Sequence, residues 1–165
     1  MSESVIADRP AKPRPYVKTS DFSPYYVTVV PGSSSDGFSA AFKLHNDGTS
    51  TEVWRIRGYS FEVYLSRNGR YFVRMGPWAS GSKPSGDDVA VEFFGNGELL
   101  KSYSTTDLVK DDSKVKRTVS HYIWRSAKKE LPFLSSTNKF HLETIDGVYY
   151  QFDVTSGEII DVQSP

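Results

Sequence analysis

Cysteine is absent from this chain, which excludes thiol nucleophiles, thiolate metal sites and disulfides. An excess of charge of one sign is also absent, because the 20 basic and 20 acidic side chains cancel. Nucleic-acid binding depends on neutralising phosphates, so this balance argues against a nucleic-acid partner. No apolar run approaches the roughly 18 residues that span a bilayer. We therefore expect no membrane span.

Two further absences concern targeting and metals. The start, Met1-Ser-Glu-Ser, lacks the basic and apolar regions of a signal peptide, although a chain that had lost its signal would look the same. The sequence therefore assigns no compartment, and export is one alternative. The histidines are not spaced as paired ligands on one strand or helix, so we expect no zinc site. No cofactor is predicted.

Aromatic side chains, in contrast, are plentiful: ten Tyr, ten Phe and three Trp. Together with Val and Ile they suit the half-buried surface of a pleated sheet. Alternating runs broken by Gly, Asn and Asp indicate antiparallel hairpins, most clearly around Asn68-Gly69. The sequence predicts an all-β fold of about 11–12 antiparallel strands. One short helix is expected near 105–112, because Ser104 and Asp107 fit a capping box.

The chain divides into a tail and a body. Residues 1–15 hold three prolines and few apolar side chains, which favours a disordered or extended tail. Residues 16–165 read as a single all-β domain of three similar units, at about 16–58, 59–117 and 118–163.

Each unit is predicted to be a four-stranded antiparallel meander. The final turns read NDG-TSTEVWRI, GNG-ELLKSY and TSG-EIIDV, and the second strands read SPYYVTV, RNGRYFVRM and STNKFHLE. In the third unit, the first strand is expected at residues 119–124. Self-similarity at a period of about 45–70 residues is evidence for a repeat architecture.

Four-stranded meanders are also how propeller blades are made. The chain is similar in a general way to YVTN-, NHL- and WD40-type blades, without the Trp-Asp and Gly-His signatures of WD40 repeats. About residues 61–162 resemble uncharacterised bacterial proteins, many of them exported, through LSRNGRYFVRMGPW, VAVEFFGNGELLKSYSTTDL, VSHYIW and GVYYQFDVTSGEI. This resemblance implies no catalytic residue. Closed propellers need about four to eight blades, so three units are expected to form a sandwich, a barrel-like body or a partial propeller.

The long loop at residues 76–88 is the first candidate for a functional site. The corresponding connection is shorter in unit one and is a two-residue turn in unit three. Loops of such length tend to be functional or mobile. Trp78 in this loop either stacks on a sugar or a partner side chain, or folds back to fill the core. Trp54 and Trp124 lie in alternating apolar runs and are expected in the core.

Four charged side chains and one histidine complete the candidate binding residues. Asp87 and Asp88, with Asp36 in the equivalent loop of unit one, either bind a hard cation or solvate the loop. Arg74 belongs to an arginine cluster that either binds an anion or pairs with nearby glutamates. His121 is either a structural histidine within the sheet or a partner of one of the loop carboxylates.

Three functions follow from these residues. The preferred one is a non-catalytic binding module that uses the loops around Trp78 to hold a protein or a carbohydrate. The second is a hydrolase-type enzyme using Asp87 or Asp88 with His121. The third is a structural subunit that self-associates, as a homodimer for example, to complete a larger β assembly. Because no nucleophile elbow is present, the balance is against an enzyme.

Overall fold

The computed structural model describes residues 11–33 and 37–165. Fourteen β-strands, one α-helix and one 3-10 helix occur in them. Residues 1–10 of the predicted tail lie outside the described residues, residues 11–15 have no regular secondary structure, and the first strand starts at Tyr16.

Three of the sheets are four-stranded antiparallel meanders, as predicted. Sheet one consists of β1 (Tyr16–Thr19), β2 (Tyr25–Val30), β3 (Phe38–Leu44) and β4 (Ser50–Arg57). Sheet two consists of β5 (Val63–Leu65), β6 (Tyr71–Met75), β7 (Val89–Gly95) and β8 (Glu98–Ser104). Sheet three consists of β11 (Phe133–Leu134), β12 (Lys139–Glu143), β13 (Tyr149–Asp153) and β14 (Glu158–Gln163).

Between sheets two and three the chain forms a helix and a small hairpin. The helix α1 (Thr105–Leu108) begins at the predicted capping box, in which Ser104 and Asp107 bond to each other's backbone N–H. It ends earlier than the predicted residue 112, and a 3-10 helix (Asp112–Lys114) follows. The hairpin pairs β9 (Lys116–Arg117) with β10 (Tyr122–Ile123).

One strand assignment in the third unit is wrong. Residues 119–124 were expected to open its meander, but β10 pairs with β9 and β11 opens sheet three. The alternation in 119–124 has another cause, because Tyr122 and Trp124 turn inward and are buried. Of the three alternatives for the body, a closed barrel is not formed, since the described strands make separate open sheets.

The three meanders pack face to face through two hydrophobic cores. The core between sheets one and two includes Val27, Val29, Trp54, Ile56, Leu65, Phe72 and Phe94. The core between sheets two and three includes Val73, Met75, Val91, Phe93, Phe140, Leu142, Tyr150 and Phe152. Phe72 and Val73 are neighbours on β6 and point to opposite faces, so sheet two is buried on both sides.

The last hairpins of the three meanders have two irregularities in common, as expected if the three units are repeats of one another. Each turn contains a glycine with positive φ: Gly48, Gly97 and Gly157. A register shift follows in each hairpin, and the residues it leaves without a strand partner are Val53, Leu100 and Ile160. All three bulge residues are exposed aliphatic side chains.

The turn glycines also let neighbouring sheets approach closely. A Cβ built on Gly97 would lie 3.1 Å from the Trp54 Cβ of sheet one, and one on Gly157 would lie 2.5 Å from the Lys101 Cβ of sheet two. At Gly48, in sheet one, nothing in the described residues lies within 4 Å of such a Cβ. The same turn therefore contacts a preceding sheet in two cases and faces open space in the third.

Among the described residues, none of the helices has the length and apolar character required to cross a bilayer.

Candidate functional site

The predicted long loop does border a cavity, of about 430 Å³. The cavity lies between the start of this loop, the hairpin β9–β10 and the segment that leads into β5. Its wall includes Phe61, Glu62, Trp78, His121, Trp124 and Arg125. A volume of this size is typical of a site for a small ligand or a side chain.

The hairpin β9–β10 is fixed against the loop by backbone hydrogen bonds. Tyr122 N–H donates to the Ala79 carbonyl at 3.1 Å, and Ser80 forms an isolated β-bridge with His121. The turn before β10 is closed by Thr118, whose Oγ1 lies 2.8 Å from Nδ1 of His121. This arrangement explains why β10 does not join sheet three, since its partners lie in β9 and the loop.

Trp78 lies on the surface of the cavity and does not fill the core. Its side chain is 45% exposed, whereas Trp54 and Trp124 are buried as predicted. The centroids of the Trp78 and His121 rings are 4.0 Å apart, with the ring planes tilted by 44°. His121 therefore supports one side of the indole, and about half of the indole stays available to a ligand.

A charged pair forms another part of the wall. Arg125 Nη2 donates to Glu62 Oε2 at 2.6 Å, and the Tyr64 hydroxyl donates to Glu62 Oε1. Burial alone would raise the pKa of the Glu62 carboxyl, but the hydrogen bonds from Arg125 and Tyr64 outweigh it and lower that pKa. Glu62 is thus held ionised beside the aromatic rings of the cavity.

The three predicted aspartates differ in their surroundings. The Asp88 carboxylate accepts a hydrogen bond from the Tyr122 hydroxyl at 2.6 Å, and the same hydroxyl lies 2.6 Å from Thr105 Oγ1. Asp87 is exposed, and its backbone N–H donates to Ser85 Oγ. Asp36 lies outside the described residues. Asp88 therefore has a structural role, because it holds the hairpin β9–β10 to the end of the long loop.

We expect Tyr122→Phe to lower the free energy of unfolding by about 1–3 kcal/mol, because the buried Thr105 and the Asp88 carboxylate lose their shared partner. Burial, with the hydrogen bond to Asp88, raises the pKa of Tyr122 from 10.0 to about 12. The wild-type advantage should be complete below pH 10 and lost between pH 10 and about 12. Urea unfolding at several pH values measures both effects.

The matched control is Tyr26→Phe, which removes a hydroxyl bonded to Ser50 Oγ in an exposed setting. Its effect should stay within about 0.5 kcal/mol. Equal losses in the two variants would contradict the structural role assigned to Tyr122.

Arg74 lies away from this wall, at the junction of sheets one and two. Its guanidinium forms an ion pair with Glu92 at 2.7 Å and donates to the Arg57 carbonyl. Arg55 pairs with Glu52, as the glutamate alternative predicted. The Arg74 guanidinium is therefore already engaged and is not positioned beside Trp78.

A second cavity of about 460 Å³ opens where the first strands of the three sheets meet. Strand β5 contacts both β1 and β11 at this point. The wall of this second cavity includes Lys18, Phe22, Tyr64, Arg67 and Phe133. Phe22 is 97% exposed and has a positive φ of 52°, which is unusual for a bulky side chain. Sequence reasoning did not anticipate this cavity.

Sequence reasoning also missed Glu62 and Arg125. They are 63 positions apart and neither belongs to a motif, so no local pattern could have paired them. Phe61, another residue of the cavity wall, precedes β5 and is 43% exposed.

In the described part of the chain, no group of three or more His, Asp or Glu side chains is placed to hold a metal ion.

Comparison with known proteins identifies no relative. The chain matches no family model, no curated protein and no solved structure.

Proposed function

We propose that this protein is a non-catalytic binding module and that its ligand enters the cavity at Trp78. The observation that carries the proposal is the half-exposed indole, which is supported from behind by His121 and borders a half-open cavity of about 430 Å³. Tryptophan is among the residue types that dominate binding hot spots. Backbone hydrogen bonds between the loop and the hairpin β9–β10 hold the indole in place before the ligand arrives.

The ligand we propose is a carbohydrate. A sugar presents an apolar ring face with hydroxyl groups around its edge, so it needs an aromatic surface beside charged hydrogen-bonding groups. Trp78 and Phe61 supply the first, and Glu62 and Arg125 supply the second. The Arg125 Nη1 atom is buried and has no hydrogen-bond partner among the described residues, so Glu62 satisfies the guanidinium only in part.

The test is a screen of glucose-, galactose- and N-acetylglucosamine-based oligosaccharides, followed by calorimetric titration of those that bind. We expect Trp78→Ala to weaken binding by at least about tenfold, because an aromatic hot spot contributes 2 kcal/mol or more. Phe22→Ala is the control, since it removes a more exposed ring from the other cavity. It should leave the affinity unchanged.

Two results would contradict the proposal. Equal affinity of the wild type and Trp78→Ala would remove the loop from the binding site. The absence of binding to every sugar, together with capture of a peptide that depends on Trp78, would replace the carbohydrate by a protein ligand.

We further propose that the three meanders are propeller-like blades. In a propeller the first strands of the blades surround a central channel. Strands β1, β5 and β11 are the first strands of their sheets and meet at the second cavity. This arrangement supports the general similarity to blade repeats. It also presents the Trp78 cavity at one end of the blades, where connecting loops are free to vary.

The hydrolase alternative gains no comparable support. The Asp88 carboxylate is bonded to Tyr122, and Nδ1 of His121 lies against Thr118. The hydrolase alternative would be supported if the protein hydrolysed a bound sugar and if Asp87→Asn or His121→Gln abolished that hydrolysis.

A further inference from the structure

The second cavity, of about 460 Å³, combines aromatic rings with cationic side chains. Three aromatic and two basic residues lie in its wall: Phe22, Tyr64, Phe133, Lys18 and Arg67. All three meanders contribute to this set, because β1 and its following turn, β5 and its following turn, and β11 meet here. A volume of this size is typical of a site for a small ligand.

The two cations in this wall are not paired with carboxylates. Among the described residues, no carboxylate lies within ion-pair distance of the Lys18 ammonium or the Arg67 guanidinium. The Lys18 Nζ atom lies 5.7 Å from the centroid of the Tyr64 ring, as in a cation–π contact. Asp21 is the one acidic residue among the described residues of the wall, so the wall has a net positive charge that attracts an anion.

Phe22 has a backbone conformation that is unfavourable for its residue type. Its φ of 52° lies in the left-handed region, where a bulky side chain is strained. The fold gains little packing from this ring in return, because Phe22 is 97% exposed. Strained backbone of this kind is found most often at ligand and active sites. The exposed ring is therefore a candidate contact for a ligand.

Hydrogen bonds hold the part of the wall that carries Phe22 and Arg67. The Ser23 hydroxyl donates to the Arg67 carbonyl at 2.6 Å, which joins the turn after β1 to the turn after β5. The backbone N–H of Ser20 donates to the Tyr25 carbonyl at 3.2 Å and closes the turn that contains Phe22. A wall that is fixed before the ligand arrives lowers the entropy cost of binding.

Phe133 is held in the wall by its own contacts. Its ring stacks on the His141 ring, with the centroids 4.2 Å apart and the planes 10° apart, and Phe133 stays 40% exposed. The hydroxyl of Tyr64 lies 3.1 Å from the carbonyl oxygen of Pro132, the residue before Phe133. This contact joins sheet two to the start of sheet three beside the cavity.

We propose that the second cavity binds a small organic anion that carries an aromatic ring. Lys18 and Arg67 bind the anionic group, and Phe22 and Phe133 contact the ring. A neutral sugar would leave both cations without a counter-charge, and an anion without a ring would leave Phe22 without a contact. The described walls of the two cavities share no residue, so this site does not depend on the function proposed for the Trp78 cavity.

The probe is phenyl phosphate, which combines a ring with an anionic group, titrated into the full chain and followed by proton–nitrogen correlation spectra. We expect saturating shifts of the Phe22, Arg67 and Phe133 backbone signals while the Trp78 indole signal stays in place. A dissociation constant of about 1 mM or lower is expected for a ligand of this size. Inorganic phosphate and phenol each offer one half of the probe, and each should bind at least about tenfold more weakly.

Arg67→Met should raise the dissociation constant of phenyl phosphate by at least about tenfold, because it removes a charged hydrogen-bond donor. Arg70→Met is the matched control. Arg70 is an exposed arginine at the end of the same turn, and it does not lie in the wall of the cavity. Its dissociation constant should stay within about twofold of the wild-type value.

Phe22→Gly separates binding from folding. Glycine adopts a positive φ without strain, so this variant should unfold at about the urea concentration that unfolds the wild type. Its dissociation constant for phenyl phosphate should nevertheless rise by about fivefold or more, because the ring contact is lost.

Four results would overturn this proposal. The first is the absence of saturating shifts with phenyl phosphate up to about 20 mM. The second is an affinity for inorganic phosphate equal to that for phenyl phosphate, which would mean that the rings do not recognise the ligand. The third is an equal loss in Arg67→Met and Arg70→Met, which would indicate attraction by the general charge of this turn. The fourth is a folded Phe22→Gly variant that binds as tightly as the wild type.

Discussion

Replacing Phe93 by alanine is expected to lower the free energy of unfolding by about 3–5 kcal/mol. Phe93 is fully buried, and its ring contacts Tyr103 on its own sheet and Phe140 and Phe152 on sheet three. The substitution would therefore leave a cavity in the core that joins two sheets. Denaturant unfolding followed by circular dichroism measures the loss.

Phe22→Ala is the matched control for this experiment. The same atoms are removed, but from a side chain that is 97% exposed, so the free energy of unfolding should change by no more than about 0.5 kcal/mol. Similar losses in the two variants would mean that Phe93 does not occupy the core between sheets two and three.

Gly76→Ala is expected to destabilise the protein by about 3 kcal/mol and to disturb the Trp78 loop. A Cβ at this position would lie 1.7 Å from the carbonyl oxygen of Val89, a backbone atom that cannot move aside like a side-chain tip. Gly76 also donates its N–H to the Ala90 carbonyl, so its backbone is held in place. Thermal unfolding measures the stability, and Trp fluorescence measures the exposure of Trp78.

Gly86→Ala lies in the same loop and provides the control. A Cβ there would contact one neighbouring atom, Oγ1 of Thr106, at 3.9 Å, which is an ordinary van der Waals distance. We expect its stability to match the wild type within about 0.5 kcal/mol. A Gly76→Ala variant as stable as Gly86→Ala would show that the chain relaxes easily where β6 leaves sheet two.

Local signals explain how much of the fold was predictable. The Gly turns and the period-two alternation located most strands of the three meanders, and the capping box located the start of α1. These features depend on residues near one another in sequence. The order of strands within each meander followed from the same hairpins.

The strand prediction for residues 119–124 in the third unit was wrong because tertiary contacts override the local pattern there. Tyr122 and Trp124 alternate as in a strand, but a hydrogen bond to Ala79 and a hydroxyl contact to Asp88 hold this segment beside the long loop. Strand β11 has two residues, too few for an alternating pattern to reveal.

The candidate site was predictable only in part. Loop length singled out Trp78, and one histidine of interest, His121, does lie against its ring. Glu62 precedes β5 and Arg125 follows β10, and the sequence contains no sign of the contact between them. Asp88, expected as a binding residue, is used to position Tyr122.

The most direct test of the binding site is a proton–nitrogen correlation spectrum of the folded protein, recorded while the oligosaccharides are titrated. The three tryptophans give three indole N–H signals. The Trp54 indole donates to the Gly69 carbonyl in a buried setting outside this cavity, so its signal should not move. The account predicts that a binding sugar shifts the Trp78 indole together with the backbone signals of His121 and Arg125. Shifts confined to Lys18, Phe22 and Arg67, at the second cavity, with a stationary Trp78 signal, would contradict it.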